Sequence, residues 1–235
     1  MDGFWGALAR AVGLILAWDA ELIEIIGLSL RVTLSAVAAA CLIGLPLGAA
    51  VGAFRFPGRI AATVALNALM GLPPVVVGLM VYLTLSASGP LGVLGLLYTP
   101  AAMIVAQTVL VAPIVAALTR QVVEELDREY AEQFASLGLG PLGRVRALLW
   151  DARYALLTVA LAGFGRATAE VGAVMIVGGN IDHATRVMTT AIALETSKGN
   201  LELALALGVV LIAIAVAVTG TVMTLRASAV RMAYG

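Results

Sequence analysis

The sequence predicts an all-α integral membrane protein with about five transmembrane helices, and three observations carry that reading. Of its 235 residues, 62% are hydrophobic and only 12% are charged, where soluble domains have about 25% charged residues. The mean hydropathy of +1.05 makes lipid the expected solvent. The charges are also punctuated: long uncharged runs, at about 20 residues per crossing, place spans near 32–54, 60–85, 98–119, 154–178 and 203–225.

Composition narrows the function as well. Fourteen acids balance 14 bases, so no global field draws nucleic acid to the chain. Cys41 stands alone, which rules out a disulfide or a thiolate metal cluster within one copy. There is no metal-spaced histidine pair, no Gly-x-Ser-x-Gly elbow and no phosphate loop. The chain is therefore expected not to be an enzyme and to bind no cofactor or metal. His183, a lone histidine in a polar loop, reads as solvated.

In chain order, residues 1–26 are acidic at the start and amphipathic, and they lack a cleavage site. They read as an N-terminal interfacial helix with Trp5 and Trp18 at headgroup level, an extra crossing being the alternative. The transmembrane domain is expected over 27–226. Val32–Phe54 is uncharged, and a basic turn at Arg55–Arg59 follows it. From Ile60 to Thr119 there is again no charge, which is long enough for two spans. Small and helix-breaking residues from Ser86 to Pro90 divide them. Pro73-Pro74, after Gly71, marks a hinge or a packing kink, and Pro46 and Pro113 mark further kinks. Residues 120–153 form a loop with five arginines and six acids. The fourth span is interrupted only by Arg166 and Glu170, and a polar loop from Gly179 to Glu202 leads to the last span. Residues 227–235 form a short tail.

In a five-span arrangement the turn at Arg55, the charged loop and the tail share one side, with nine bases against Arg10, Arg31, Arg186 and Lys198 on the other. The positive-inside rule then places the loop and the C-terminus in the cytoplasm and the N-terminus outside.

Within the loop, residues 122–137 have the periodicity of an amphipathic helix. Gly138, Gly140 and Pro141 make a turn, and a second helix from Leu142 to Trp150 carries Arg144 and Arg146. Two short helices about a glycine turn can sit in a partner's groove and transmit a push. The run Glu132-Gln133-Phe134-Ala135-Ser136-Leu137-Gly138, with Leu148 and Leu149 downstream, resembles the EAA loop of ABC importer permeases. It departs from that pattern at Gln133 and Phe134, where alanines are usual, and at Asp151, near the customary proline. The resemblance implies a coupling helix docked on an ATPase subunit. Glu132, Ala135, Ser136 and Gly138 would then lie at the docking surface, and Arg144 and Arg146 at its edge.

Arg166 and Glu170 fall near the middle of the fourth span, where an isolated charge costs several kcal/mol. Their i, i+4 spacing predicts a pair on one helix face. Two roles stay open, a packing clamp or part of the gate and anion path. The surrounding string Gly165–Ala173, with Gly178-Gly179-Asn180, resembles the sulfate, molybdate and tungstate branch of these permeases, and Thr185–Thr196 looks most like its tungstate permeases. That resemblance implies a type I ABC permease fold and a homodimer in the cell inner membrane. It also implies two ATPase subunits that hold the ATP, an extracytoplasmic binding protein and an oxyanion cargo, tungstate first. Gly178, Gly179, Thr189 and Thr190 would offer amides and hydroxyls to the anion, with Thr185, Thr196 and Arg186 as further donors. An ion-coupled secondary transporter, with Arg166 and Glu170 as a relay, is the alternative, although no internal repeat supports it.

Overall fold

The computed structural model describes Gly6, Ala9 and residues 12–234, the side chains only as far as Ser228. Trp5, Arg10 and the Arg231 side chain lie outside the described residues. All regular structure among the described residues is helical: α1 (Ala20–Ala53), α2 (Arg59–Met70), α3 (Pro74–Leu85), α4 (Pro100–Glu129), α5 (Ala131–Ser136), α6 (Pro141–Asp151), α7 (Arg153–Thr168), α8 (Gly172–Gly178), α9 (Met188–Lys198) and α10 (Leu201–Tyr234). A single 3-10 turn, Gly92–Leu94, lies between α3 and α4. Three of these helices are long and apolar enough to cross a membrane, and the count rises to 5 when α2 with α3 and α6 with α7 are each taken as a broken span.

Helices cover the expected spans, but their ends differ for readable reasons. Trp18 adopts a left-handed φ of 52° and ends the preceding helical turn. The Asp19 carboxylate accepts the Leu22 amide at 3.1 Å and so starts α1. Residues 20–26 therefore belong to the first membrane helix rather than to a separate interfacial one. At 34 residues, α1 is about 51 Å long, well beyond the roughly 30 Å of the hydrocarbon core. It carries Pro46 without a break. The 60–85 span divides where expected: Gly71 ends α2, Pro73 is extended, and Pro74 occupies the first turn of α3, where its missing amide costs nothing.

The 98–119 span runs on to Glu129, so no separate helix begins at Val122. Nothing between Thr119 and Glu129 breaks a helix, and Glu124 pairs with Arg120 and Arg128 one turn on either side. The fourth span shows the largest departure. α7 stops at Thr168, so Glu170 lies beyond the helix that carries Arg166 and the two are not on one helix face. α8 then restarts at Gly172. The polar loop holds a helix of its own, α9, and the tail continues α10 as far as Tyr234.

The chain forms two compact units. The first takes the described residues up to Ser35 with Pro73–Gln107 and Thr168–Val218. One of its cores joins Leu22 and Ile25 to Met188, Ala191, Leu203, Ala206 and Leu207. A close approach joins α3 to α8, because a Cβ on Gly78 would meet the Ala173 Cα at 2.7 Å. The second unit takes Ala36–Leu72, Thr108–Ala167 and the described residues from Thr219 on. There Gly44, Gly48 and Gly52, spaced one helical turn apart, face α4. Added Cβ atoms would lie 2.8 Å from the Ala112 oxygen, 2.3 Å from the Ala116 oxygen and 2.9 Å from the Arg120 oxygen. Small-xxx-small packing of this kind lets two membrane helices touch backbone to backbone, a main source of helix association where the surrounding lipid is as apolar as the side chains.

Candidate functional site

In the second unit, the charged loop is anchored by one side chain and otherwise faces outward. Between Ala131 and Gly140 only Phe134 is buried. Its ring packs with Ala49, Ala53, Val123 and Leu148 and meets Tyr130 edge-on at 5.8 Å. Arg144 lies 5.7 Å above the same ring and pairs with Asp127 of α4. The Tyr130 hydroxyl donates to Asp151 at the end of α6, at 2.7 Å. Arg144 therefore braces α6 against α4. Glu132, Ala135 and Ser136 are exposed, as are Gly138 and Arg146.

Gly138 makes the turn. Its φ is +60°, the left-handed region that glycine enters without a side-chain penalty. The amides of Gly138 and Leu139 donate back to the Ala135 and Phe134 carbonyls, each at 3.2 Å, and close the end of α5. Pro141 then opens α6 at a position that needs no amide. One turn further into the unit, Glu124 draws three guanidiniums together: Arg120 at 2.5 Å, Arg128 at 2.7 Å and Arg59 at 3.4 Å. Arg59 also donates to the Val51 and Gly52 carbonyls near the end of α1, at 2.8 and 3.1 Å. A load applied to the outward face of α5 thus reaches α4 and α1 through Phe134, Arg144–Asp127 and the Glu124 cluster. The sequence reading missed Arg59, Asp127, Tyr130 and Phe134 as parts of this brace. Glu124, flanked by arginines four residues away on both sides, was the signal available.

In the first unit, Glu170 is 2% exposed, and its carboxylate accepts the Ala173 amide at 2.9 Å. It caps the start of α8, where the helix dipole favours a negative charge. Thr189 donates to the Glu170 carbonyl at 2.8 Å, which ties α9 to the break. Thr190 donates to the Val187 carbonyl and accepts the Val187 amide, at 3.0 and 3.1 Å. Thr185 donates to Gly178 at 2.5 Å and accepts the Ile181 amide at 2.9 Å. In this conformation three of the four hydroxyl protons expected to serve an anion, those of Thr185, Thr189 and Thr190, are already committed to backbone carbonyls.

Gly179 is required by its backbone and packing, and Gly178 is closely packed. A Cβ at Gly178 would meet Met103 at 3.0 Å, and at Gly179, with φ +72°, it would meet the Tyr98 ring at 2.9 Å. Ser29 of α1, not singled out by the sequence reading, accepts the Met188 amide at 2.7 Å and fixes the start of α9. Arg186 is likewise engaged, with Asp182 at 2.9 Å and Glu21 at 3.3 Å.

His183 is not merely solvated. Its Nδ1 lies 2.8 Å from the Glu24 carboxylate. That hydrogen bond, with the negative charges of Glu24 and Asp182, raises its pKa above the usual 6.5. A raised folded-state value means that the charged contact stabilises the loop fully below pH 6.5 and is lost as pH climbs through the folded value. His183→Gln should therefore speed amide exchange at residues 181–186 at pH 6 and leave it unchanged at pH 9; an equal effect at both would contradict the pairing. Glu195 shows the opposite shift. The hydrogen bond from Lys198, with a further one from Asn200, holds its carboxyl below the ordinary range at the end of α9.

Together these features describe a helical membrane protein with an exposed, braced loop in one unit and a tightly capped helix break in the other. The chain belongs to the family of binding-protein-dependent transport system inner membrane components, whose family model matches residues 44–230. It is similar to a probable anion ABC transporter permease protein of Haloferax volcanii, 41% identical over 186 residues, which is 77% of this chain and 80% of the relative. A tungstate uptake system permease protein of Peptoclostridium acidaminophilum is 40% identical over 194 residues, 83% of this chain and 85% of the relative. A molybdenum transport system permease protein of Azotobacter vinelandii is 31% identical over 146 residues, 59% of this chain and 64% of the relative. These relatives are named as permease proteins of anion, tungstate and molybdenum transport systems.

Proposed function

We propose that this chain is the permease subunit of an ATP-driven importer that carries an oxyanion, tungstate first, across the cytoplasmic membrane by alternating access. The single observation that carries the mechanism is the outward face of α5, braced to α1 and α4. Glu132, Ala135, Ser136 and Gly138 form the surface on which a separate ATPase subunit presses. ATP is bound and hydrolysed on that partner, and two such subunits work a homodimer of this chain. An extracytoplasmic binding protein delivers the anion. The charged loop and the C-terminus are cytoplasmic and the N-terminus is outside, as the nine-base asymmetry supports.

Tungstate is favoured over molybdate or sulfate because the relatives named for tungstate are 40% and 45% identical to this chain, whereas those named for molybdenum and sulfate are 30–31% identical. Arg166 lies near the end of α7 and Glu170 within the break that follows it; Thr189 ties α9 to that break, Thr190 closes the start of α9, and Gly178 and Gly179 form the far end of α8. The gate acts through the Thr189 contact: a change in the break frees the Thr189 hydroxyl for the anion.

The test is uptake into vesicles that contain the permease, its ATPase and its binding protein, with tungstate, molybdate, sulfate and phosphate compared. ATP-dependent uptake of tungstate ahead of the other three is the expected result. Uptake without ATP, or a preference for phosphate, would overturn the reading.

A further inference from the structure

We infer that the outer face of α6 is a membrane-surface site for an anionic phospholipid headgroup, held by Arg146 and Arg153 beside Leu142 and Trp150. The first support is orientation. α6 and α7 meet at an angle of 72° across a one-residue break. A helix at that angle to a roughly upright span lies close to the membrane plane, at the level of the headgroups.

The second support is the pattern on the helix. Leu142, Arg146 and Trp150 recur every four residues, and all three are exposed. Leu142 and Trp150 are 82% and 71% exposed, the opposite of what a soluble domain does with such side chains. The inward face of α6 is already used, with Leu148 buried and Arg144 engaged by Asp127, so the exposed stripe is the face left for another phase. Leu142, Val145, Leu149 and Trp150 line a shallow groove of about 970 Å³ in which Arg146 and Arg153 are the only charged residues. Tryptophan beside arginine at the end of a span is the composition of the headgroup layer, where an indole sits between apolar and wet surroundings.

The third support is charge. Every other arginine of the charged loop has an acid: Arg120 and Arg128 share Glu124, and Arg144 holds Asp127. Arg146 and Arg153 have no carboxylate partner among the described residues. Arg153 is instead laid over the rings of Trp150 and Tyr154, at 4.9 and 4.5 Å, and donates to the Trp150 carbonyl at 2.6 Å. Its position is fixed while its charge stays uncompensated. One fixed guanidinium, at Arg153, and one free to reach, at Arg146, above an apolar groove match a phosphodiester above its acyl chains.

The full-length chain in detergent, titrated with phosphatidylglycerol or phosphatidylcholine and read by native mass spectrometry, tests this. Wild type should retain phosphatidylglycerol over phosphatidylcholine. Arg146→Gln with Arg153→Gln should weaken that retention roughly thirtyfold, from about fivefold per surface arginine, and Arg146→Lys with Arg153→Lys should keep most of it. Arg146→Gln alone, at a side chain with no hydrogen bond or ion pair among the described residues, gives a several-fold loss and covers the case in which the double variant misfolds. Equal retention of the two lipids by wild type would overturn the proposal. So would unchanged retention in the variants, or a variant that keeps phosphatidylglycerol but no longer co-purifies with an ATPase subunit, since the face would then be a protein contact.

Discussion

Gly138→Asp should abolish ATP-dependent uptake while leaving the permease folded and assembled. Two effects act at that position. The residue sits at φ +60° with nothing within 4 Å of an added Cβ, so the side chain has space, and the left-handed conformation costs only about 1 kcal/mol for a residue other than glycine, least for Asp and Asn. Loss of the fold is therefore not the expected outcome. The new carboxylate does, however, project from the turn between α5 and α6, beside exposed Leu137 at 72% and Leu139 at 40%. A charge placed among small and apolar contact residues must be desolvated when a partner closes over them. Transport in vesicles should fall to background, with elution volume and thermal unfolding close to wild type. Gly138→Ala, with strain but no charge, should keep partial transport. Wild-type uptake by the Asp variant would contradict the assignment of this turn to the docking surface.

Gly48→Leu should prevent stable folding. A single Cβ would already lie 2.3 Å from the Ala116 carbonyl oxygen and 2.7 Å from the Thr119 Cβ. Neither is the free end of a flexible side chain, so relief requires α1 and α4 to separate where they now touch backbone to backbone. Overpacking a core by a methylene or two costs about 1–3 kcal/mol, and Leu brings four carbons into a contact with no room for the first. The same separation would disturb the Arg59 bonds to Val51 and Gly52 one turn later. Folded yield should collapse, or thermal unfolding in detergent should drop by more than ten degrees. Gly48→Ala is expected to be milder yet still destabilising. Gly27→Ala in the same helix, where nothing lies within 4 Å, serves as the control and should be neutral or slightly stabilising, because alanine is the better helix former. Equal melting of Gly48→Leu and wild type would show that the two helices are not held by this contact.

Much of this architecture is legible in the sequence because charge marks the ends of crossings. Arg55 and Arg59 bound the first span, and the absence of charge from Ile60 to Thr119 requires two more. What charge does not reveal is whether a helix continues through a crossing. The Pro73-Pro74 break is readable, since proline removes an amide and constrains the residue before it. The break after Thr168 has no such marker. It is made by the Glu170 carboxylate turning back to the Ala173 amide, a local capping choice that helical i, i+4 arithmetic cannot anticipate because that arithmetic assumes an unbroken helix.

The charged loop shows the same division. Its place, its glycine turn and its outward residues could be read directly, whereas Phe134, set among Glu132, Gln133 and Ser136, looked like a departure from a motif. Only the fold shows it as the pin that fixes α5 to α1, α4 and α6. The threonines of α9 were legible as hydroxyl donors, and the Thr190 bond to Val187 is a local i, i−3 contact, but the Thr189 acceptor, the Glu170 carbonyl, depends on a chain reversal that no spacing rule encodes.

The account turns on force entering the chain through the outward face of α5, and cross-linking at Ser136 tests that most directly. The full-length chain carrying Ser136→Cys, with Cys41→Ala to remove the other thiol, would be co-expressed with its ATPase subunit and treated with a short thiol-to-amine cross-linker. The prediction is one major adduct with the ATPase subunit whose yield changes when ATP is added, and little adduct from a cysteine placed at Gly27. No ATPase adduct at Ser136, from a preparation in which the two subunits co-purify and transport, would contradict it.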